Sequence, residues 1–227
     1  MKYENIVEGR FIKRDNRFIA HVEINGKDEV CHVKNTGRCK ELLTEGARVY
    51  LEPSTNPERK TKFSLVTVDK GGRLINMDSQ APNRVVEEAI KNKIIFDNVT
   101  FLKREYKYDK SRFDFYMERG SEKAFIEVKG VTLENDNVVS FPDAPSERAV
   151  KHLDELRKAA DEGYKAYVMF VVQMRDVDYF VPNEKNHKAF ADKLREVSRE
   201  GVNVLGYDCF VSEDEIWLRD KRVEIRL

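Results

Sequence analysis

A chain of 227 residues, 41% hydrophobic and 36% charged, has the makings of one large or two smaller globular domains. Its 41 Lys+Arg balance 41 Asp+Glu, so no global field of either sign draws it to a polyanion or a membrane surface. No apolar run approaches the roughly 18 residues of a membrane span, the first residues carry no apolar leader core, and Cys31, Cys39 and Cys209 form no CxxC pair, so a reduced, cytoplasmic protein without a membrane partner is expected.

Residues 1–78 read as short strands between turn signals. Segments 6–12, 17–24, 29–33, 47–53 and 63–68 alternate or are rich in β-branched residues, and Asp15-Asn16, Asn25-Gly26 and Gly71-Gly72 punctuate them. So many strands in so short a stretch predict a small OB-like β-barrel. Arg10, Lys13, Arg14 and Arg17 gather around one turn, and Arg59, Lys60 and Lys62 around another, with Phe11, Phe18 and Phe63 interleaved. Basic loops beside aromatic rings can hold a phosphate backbone and stack bases. The same residues also make ordinary core rings and solvated turns. In Asn35-Thr36-Gly37-Arg38, Gly37 permits positive φ and the amides can form an anion nest.

A polar segment around Asp78–Asn83 marks a boundary, so a barrel over 1–78 and a second domain over 79–227 are expected. The run 84–93 predicts a helix with Asn83 as its N-cap and Val85, Val86, Ala89 and Ile90 as its buried stripe. Glu87 and Glu88 fall in its first turns, where the helix dipole favours acids; packed beside the right face of a sheet, one of them would join a metal site. A strand over 99–108, a hairpin of 112–117 and 124–128, and a helix over 146–162 with Ser146 as N-cap follow. Residues 164–173, nearly all apolar, predict a buried central strand. A second amphipathic helix over 185–200, a strand over 202–209 and edge pieces at 216–218 and 222–225 complete the order αβββαβαβ.

The hairpin carries the chemistry. Gly120-Ser121 predicts a two-residue type II′ turn, which sets Asp114 opposite Glu127, Tyr116 opposite Phe125 and Arg112 opposite Lys129. Phe113, Phe115 and Met117 then meet Val128, Ile126 and Ala124 on a wholly apolar face. Two carboxylates roughly 5 Å apart repel. A hard divalent cation, Mg2+ or Mn2+, held by Asp114, Glu127 and the Val128 carbonyl would remove that cost. Lys129 reaches the same space as a compact point charge. Asp, then Glu-x-Lys on the next strand, is the pattern of the PD-(D/E)XK nuclease superfamily, whose αβββαβ core the element order also matches; the same side chains equally suit a solvated sheet face. Gln173, ending the central strand, can project its amide into a site, and Asp143 is either a loop acceptor or a site residue. His21, His32, His152 and His187 form no metal motif, and no phosphate-binding GxxxxGK[ST] or GxGxxG occurs.

SRFDF (111–115), FIEVKGVTL (125–133), FPDAPSERAVKHLDEL (141–156), FVVQ (170–173), NTGR (35–38) and PNRVVEEAI (82–90) together resemble the sugar fermentation stimulation protein family. The resemblance spans nearly the whole chain and implies an OB-like domain fused to a PD-(D/E)XK nuclease-like domain, with DNA as partner. It places Asp114, Glu127 and Lys129 on the catalytic positions, Glu88 on the helix acid and Gln173 on the downstream glutamine. Ala149 departs from the pattern, which has glycine there. The expected activity is metal-assisted phosphodiester hydrolysis, with Arg10, Lys13, Arg14, Arg38 and Lys60 supplying backbone affinity for nucleic acid. A DNA-binding regulator of sugar-metabolism genes that keeps a nuclease fold without cutting is the rival, hydrolysis of another phosphate ester a third reading, and homodimerisation is left open.

Overall fold

The computed structural model describes residues 1–109 and 111–227. Six strands come first: β1 (Val7–Asn16), β2 (Ile19–Ile24), β3 (Lys27–Val33), β4 (Arg48–Pro53), β5 (Phe63–Lys70) and β6 (Arg73–Asn76). They run in the order β3-β2-β1-β4-β5-β6, and β3 closes onto β5 in parallel, from Cys31–Phe63 to Val33–Leu65. The five predicted strands therefore form a closed OB barrel, filled by Val22, Val33, Val49, Leu51 and Leu65. Sequence reading missed β6, which hairpins back along β5 through Gly71 and Gly72, both at positive φ.

The second domain begins with α1 (Ala81–Lys91), three residues earlier than predicted. Its N-cap is Gln80, so Asn83 is freed from capping and sits inside the first turn. The sheet that follows has the order β15-β14-β12-β9-β8-β7, with β7 (Val99–Tyr108), β8 (Ser111–Arg119), β9 (Glu122–Val131), β12 (Lys165–Val172), β14 (Val202–Val211) and β15 (Ile216–Arg222). β12 is central and parallel to both neighbours, as its apolar run predicts. α2 (Glu147–Asp161) and α3 (Glu184–Arg199) cover one face and α1 the other, making three layers. Ser146 caps α2 by accepting from the Ala149 amide. A small sheet of β10 (Leu133–Asn135), β11 (Val138–Phe141), β13 (Tyr179–Pro182) and β16 (Glu224–Ile225) is the other feature unread in the sequence. Among the described residues no helix is long and apolar enough to cross a membrane.

The barrel is bolted to this domain. Gln173 Nε2 donates to the carbonyls of Asn76 and Asp78 and to Asn76 Oδ1 at 3.0–3.1 Å. Lys70 and Arg73 grip buried Glu134 at 2.6 and 3.2 Å. Asp143 Oδ2 accepts the Cys39 amide at 3.0 Å.

Candidate active site where β8 and β9 part

Simple alternation along β8 would send Phe113 and Phe115 to one face. They enter opposite layers instead: Phe115 packs on the α1 side with Met117, Ile126 and Val128, while Phe113 meets Phe125 on the α2 side, ring centres 4.9 Å apart. The backbone turns over at Asp114. On β7 the residue between the pairs Arg104–Phe115 and Tyr106–Phe113 is Glu105, at φ +50°, so the kink is shared by both strands. The wholly apolar face is thus corrected at Phe113, and the opposite face is not solvated either, since Tyr116 and Phe125 are buried.

Gly120 takes φ +60°, as the first residue of a II′ turn must, and the register Tyr116–Phe125 is the predicted one. Among the described residues, however, the β8–β9 pairing ends at Phe115–Ile126. Beyond it the Val128 amide donates to Asp114 Oδ2 at 2.7 Å, and Asn83 Nδ2 of α1 donates to Oδ1 at 2.8 Å. The strands splay because a side chain has replaced a backbone rung.

Glu127 points the other way, toward α2. Its Oε1 accepts from Lys129 Nζ at 2.6 Å and makes a short contact with His152 Nδ1. Arg148 Nε donates to His152 Nε2 at 3.3 Å, which makes Nδ1 the protonated nitrogen that donates to Glu127. Arg148 and His152 stand one helical turn apart, so α2 delivers the relay as a unit. Glu127 Oε2 is buried without a hydrogen-bond partner.

Burial and the nearby Glu127 charge push the Asp114 carboxyl up to about 6, against the bonds from Val128 and Asn83. Burial also pushes Glu127 up, but Lys129 and His152 outweigh it and hold this carboxyl below its ordinary range. An orphaned carboxylate oxygen beside a carboxyl that resists ionising marks a place short of positive charge. Among the described residues no group of three His, Cys, Asp or Glu side chains gathers to hold a metal. The hard oxygen donors at this place are the two carboxylates, of which Glu127 Oε2 alone accepts no hydrogen bond.

Other predicted residues lie elsewhere. Glu88, five positions after Asn83, is turned about 140° from it around the helix. Its Oε2 meets the Met1 amino group at 2.7 Å beside β15, across the sheet from Asp114, so it is not brought to the site. Gln173 is buried, its amide nitrogen engaged by the barrel, while its Oε1 faces Gly130 at the interdomain cleft. Arg14 spends its donors on the carbonyls of Asn16, Arg17, Asn35, Gly37 and Arg38, fixing the 35–38 loop instead of a phosphate. Arg10 lies near Gly46, and Lys13 pairs with Asp15 at 3.1 Å. Arg38 and Lys60 are exposed. The predicted anion nest is occupied from within: Asn35 Oδ1 takes the Gly37 amide and Asp143 the Cys39 amide. Asn83 and His152 are the residues sequence reading missed; the one signal for His152 was its place in the FPDA-to-HLDEL block.

Fold and site define a closed OB barrel followed by a three-layer α/β domain with Asp114 and Glu127-Val128-Lys129 where its central hairpin opens. Residues 12–77 match the family model "SfsA N-terminal OB domain" and residues 80–215 "Sugar fermentation stimulation protein RE domain". A sugar fermentation stimulation protein homolog of Ruminiclostridium cellulolyticum is 57% identical over 227 residues, covering 100% of both chains, and one of Clostridium beijerinckii is 58% identical over 220 residues, covering 97% of each. The solved structure of Pyrococcus furiosus SfsA in complex with Ca2+ superposes with a TM-score of 0.90 at 26% identity, over 100% of this chain and 98% of that one. The chain belongs to the sugar fermentation stimulation protein family.

Proposed function

We propose that this protein hydrolyses phosphodiester bonds in nucleic acid, DNA first among the substrates, with Mg2+ or Mn2+ held by Asp114, Glu127 and the Val128 carbonyl. The observation that carries this reading is the buried, partnerless Glu127 Oε2 beside an Asp114 whose carboxyl is held up to about 6. That the Pyrococcus furiosus relative was solved in complex with Ca2+ supports a divalent ion as a ligand of this protein. When bound, the cation supplies Lewis-acid polarisation of a phosphoryl oxygen and an acidified water. The chain's own residues do the rest. Asn83 and the Val128 amide fix Asp114; His152, backed by Arg148, fixes Glu127 through Oε1 and leaves Oε2 free to ligate. Lys129 Nζ places a positive charge with two further protons beside the same carboxylate, suited to an anionic oxygen developing on phosphorus.

The test is cleavage of labelled single- and double-stranded DNA and RNA with Mg2+, Mn2+ or EDTA, beside Glu127→Ala and Lys129→Ala. Metal-dependent cutting that EDTA and both substitutions abolish is the expected result. Equal DNA binding by wild type and variants with nothing cut would instead favour a non-catalytic DNA-binding regulator, and cutting of a small phosphate ester indifferent to added DNA would favour the third reading.

A further inference from the structure

Between barrel and α/β domain lies a cleft of about 350 Å³. Three elements that carry the candidate active site run into it. Ser79 leads into the helix bearing Asn83, Gly130 follows Lys129 directly, and Ser146 caps the helix bearing His152. The barrel supplies the facing wall through Arg17 and the Asn35–Gly37 loop. That loop is preorganised, since Arg14 clamps two of its carbonyls, Asn35 and Gly37, and that of the next residue, Arg38, and Asp143 takes the Cys39 amide.

The lining is specific in kind. Phe141, Pro142 and Pro145 give an apolar wall, and Thr36, Ser140 and Ser146 give hydroxyls. Its one carboxylate, Asp143, has Oδ2 turned to the Cys39 amide, while Arg17 also lines the cleft and Lys129 is next to Gly130. A larger hollow of about 670 Å³ lies elsewhere, lined by Glu4, Glu8, Glu213 and Asp214 against one cation, Lys2, a surplus of negative charge that disfavours a phosphate chain. The volume of the interdomain cleft is at the lower end of small-ligand sites, about 300–1,000 Å³. An unpaired nucleotide fits such a space; a base stacked and paired inside a duplex does not reach it without being extruded.

Building on the nuclease reading, we propose that this cleft binds one unpaired nucleotide of a single strand and leads that strand past Lys129, so that the protein selects single-stranded over duplex nucleic acid. The apolar wall receives the base or sugar, the hydroxyls its polar edges, and Arg17 a flanking phosphate.

Binding of labelled single-stranded and duplex oligonucleotides of one sequence, followed by fluorescence anisotropy in EDTA, separates this inference from catalysis. Wild type is expected to bind the single strand about tenfold or more tightly than the duplex, within the range of one or two base contacts. Ala144→Phe, which fills the cleft, and Arg17→Ala, outside the site residues, should each erase most of that preference with thermal stability retained; Thr36→Trp on the exposed loop serves if Ala144→Phe fails to fold. Duplex bound as tightly as single strand, or folded cleft-filling variants that bind the single strand like wild type, would overturn it. Metal-dependent cutting confined to duplex would overturn the cleft and leave the nuclease reading standing, whereas cleft-dependent single-strand binding without any cutting would do the reverse.

Discussion

At the residue scale, the two carboxylates are kept apart by their partners. Asp114 leans on the α1 layer and Glu127 on the α2 layer, and only the second accepts a hydrogen bond from a cationic side chain, Lys129. A carboxyl raised from 3.8 to about 6 favours its protonated form in the fold, so its contribution to stability is present below about pH 3.8 and is lost as pH rises through 6. Without metal, Asp114→Asn should therefore raise stability at pH 8, by at most roughly 3 kcal/mol and less because the side chain is partly exposed. The gain should vanish below pH 4; urea unfolding in EDTA across pH checks both ends. His152→Ala should weaken Mn2+ binding about 10-fold or more, as loss of a ligand's orienting partner does, whereas His152→Gln, which can still donate to Oε1, should recover much of it. Calorimetric Mn2+ titration measures this without any turnover.

At the scale of elements, the hairpin's turn, register and Glu-x-Lys spacing were legible because a two-residue turn transmits pairing along both strands. What the register could not reveal is where pairing stops. Next to Asp114 lie Glu105 of a third strand, at φ +50°, and Asn83 of a helix, which bonds it; the hairpin's own sequence carries neither. Helix α1 starts three residues before the predicted position because Pro82, which resembles a breaker in sequence, is tolerated in a first turn. That shift turned Asn83 from a cap into a site residue. Gly130 shows how tightly strand, helix and barrel meet: a Cβ there would lie 2.6 Å from Gln173 Oε1 and 2.7 Å from Pro82 Cγ. Gly130→Ala should cost about 1–3 kcal/mol, read as a lowered Tm, and should damage the site through β9 even though no functional side chain is lost.

At the scale of the whole molecule, the barrel is held as part of one body. The two buried clusters each contain residues of both domains, and Glu134, 5% exposed, anchors Lys70 and Arg73 from the barrel. Glu134→Ala should lower stability by about 1–2 kcal/mol, less than a fully buried pair because both cations can rehydrate. It should also broaden or split the calorimetric unfolding transition as the domains uncouple. The zero net charge fits binding built on local geometry rather than a global field.

Periodicity, turn residues and spacing determined the barrel, the αβββαβαβ order, the buried central strand and the register of the hairpin that carries Asp114, Glu127 and Lys129, because each is a short-range property of the chain. Tertiary structure alone decided that Arg14 and Gln173 brace loops and domains, that Glu88 faces β15, and that Asn83 bonds Asp114 and His152 bonds Glu127. A side chain's donors go wherever packing leaves an unpaired acceptor within about 3 Å, and which acceptor that is depends on contacts tens of residues away.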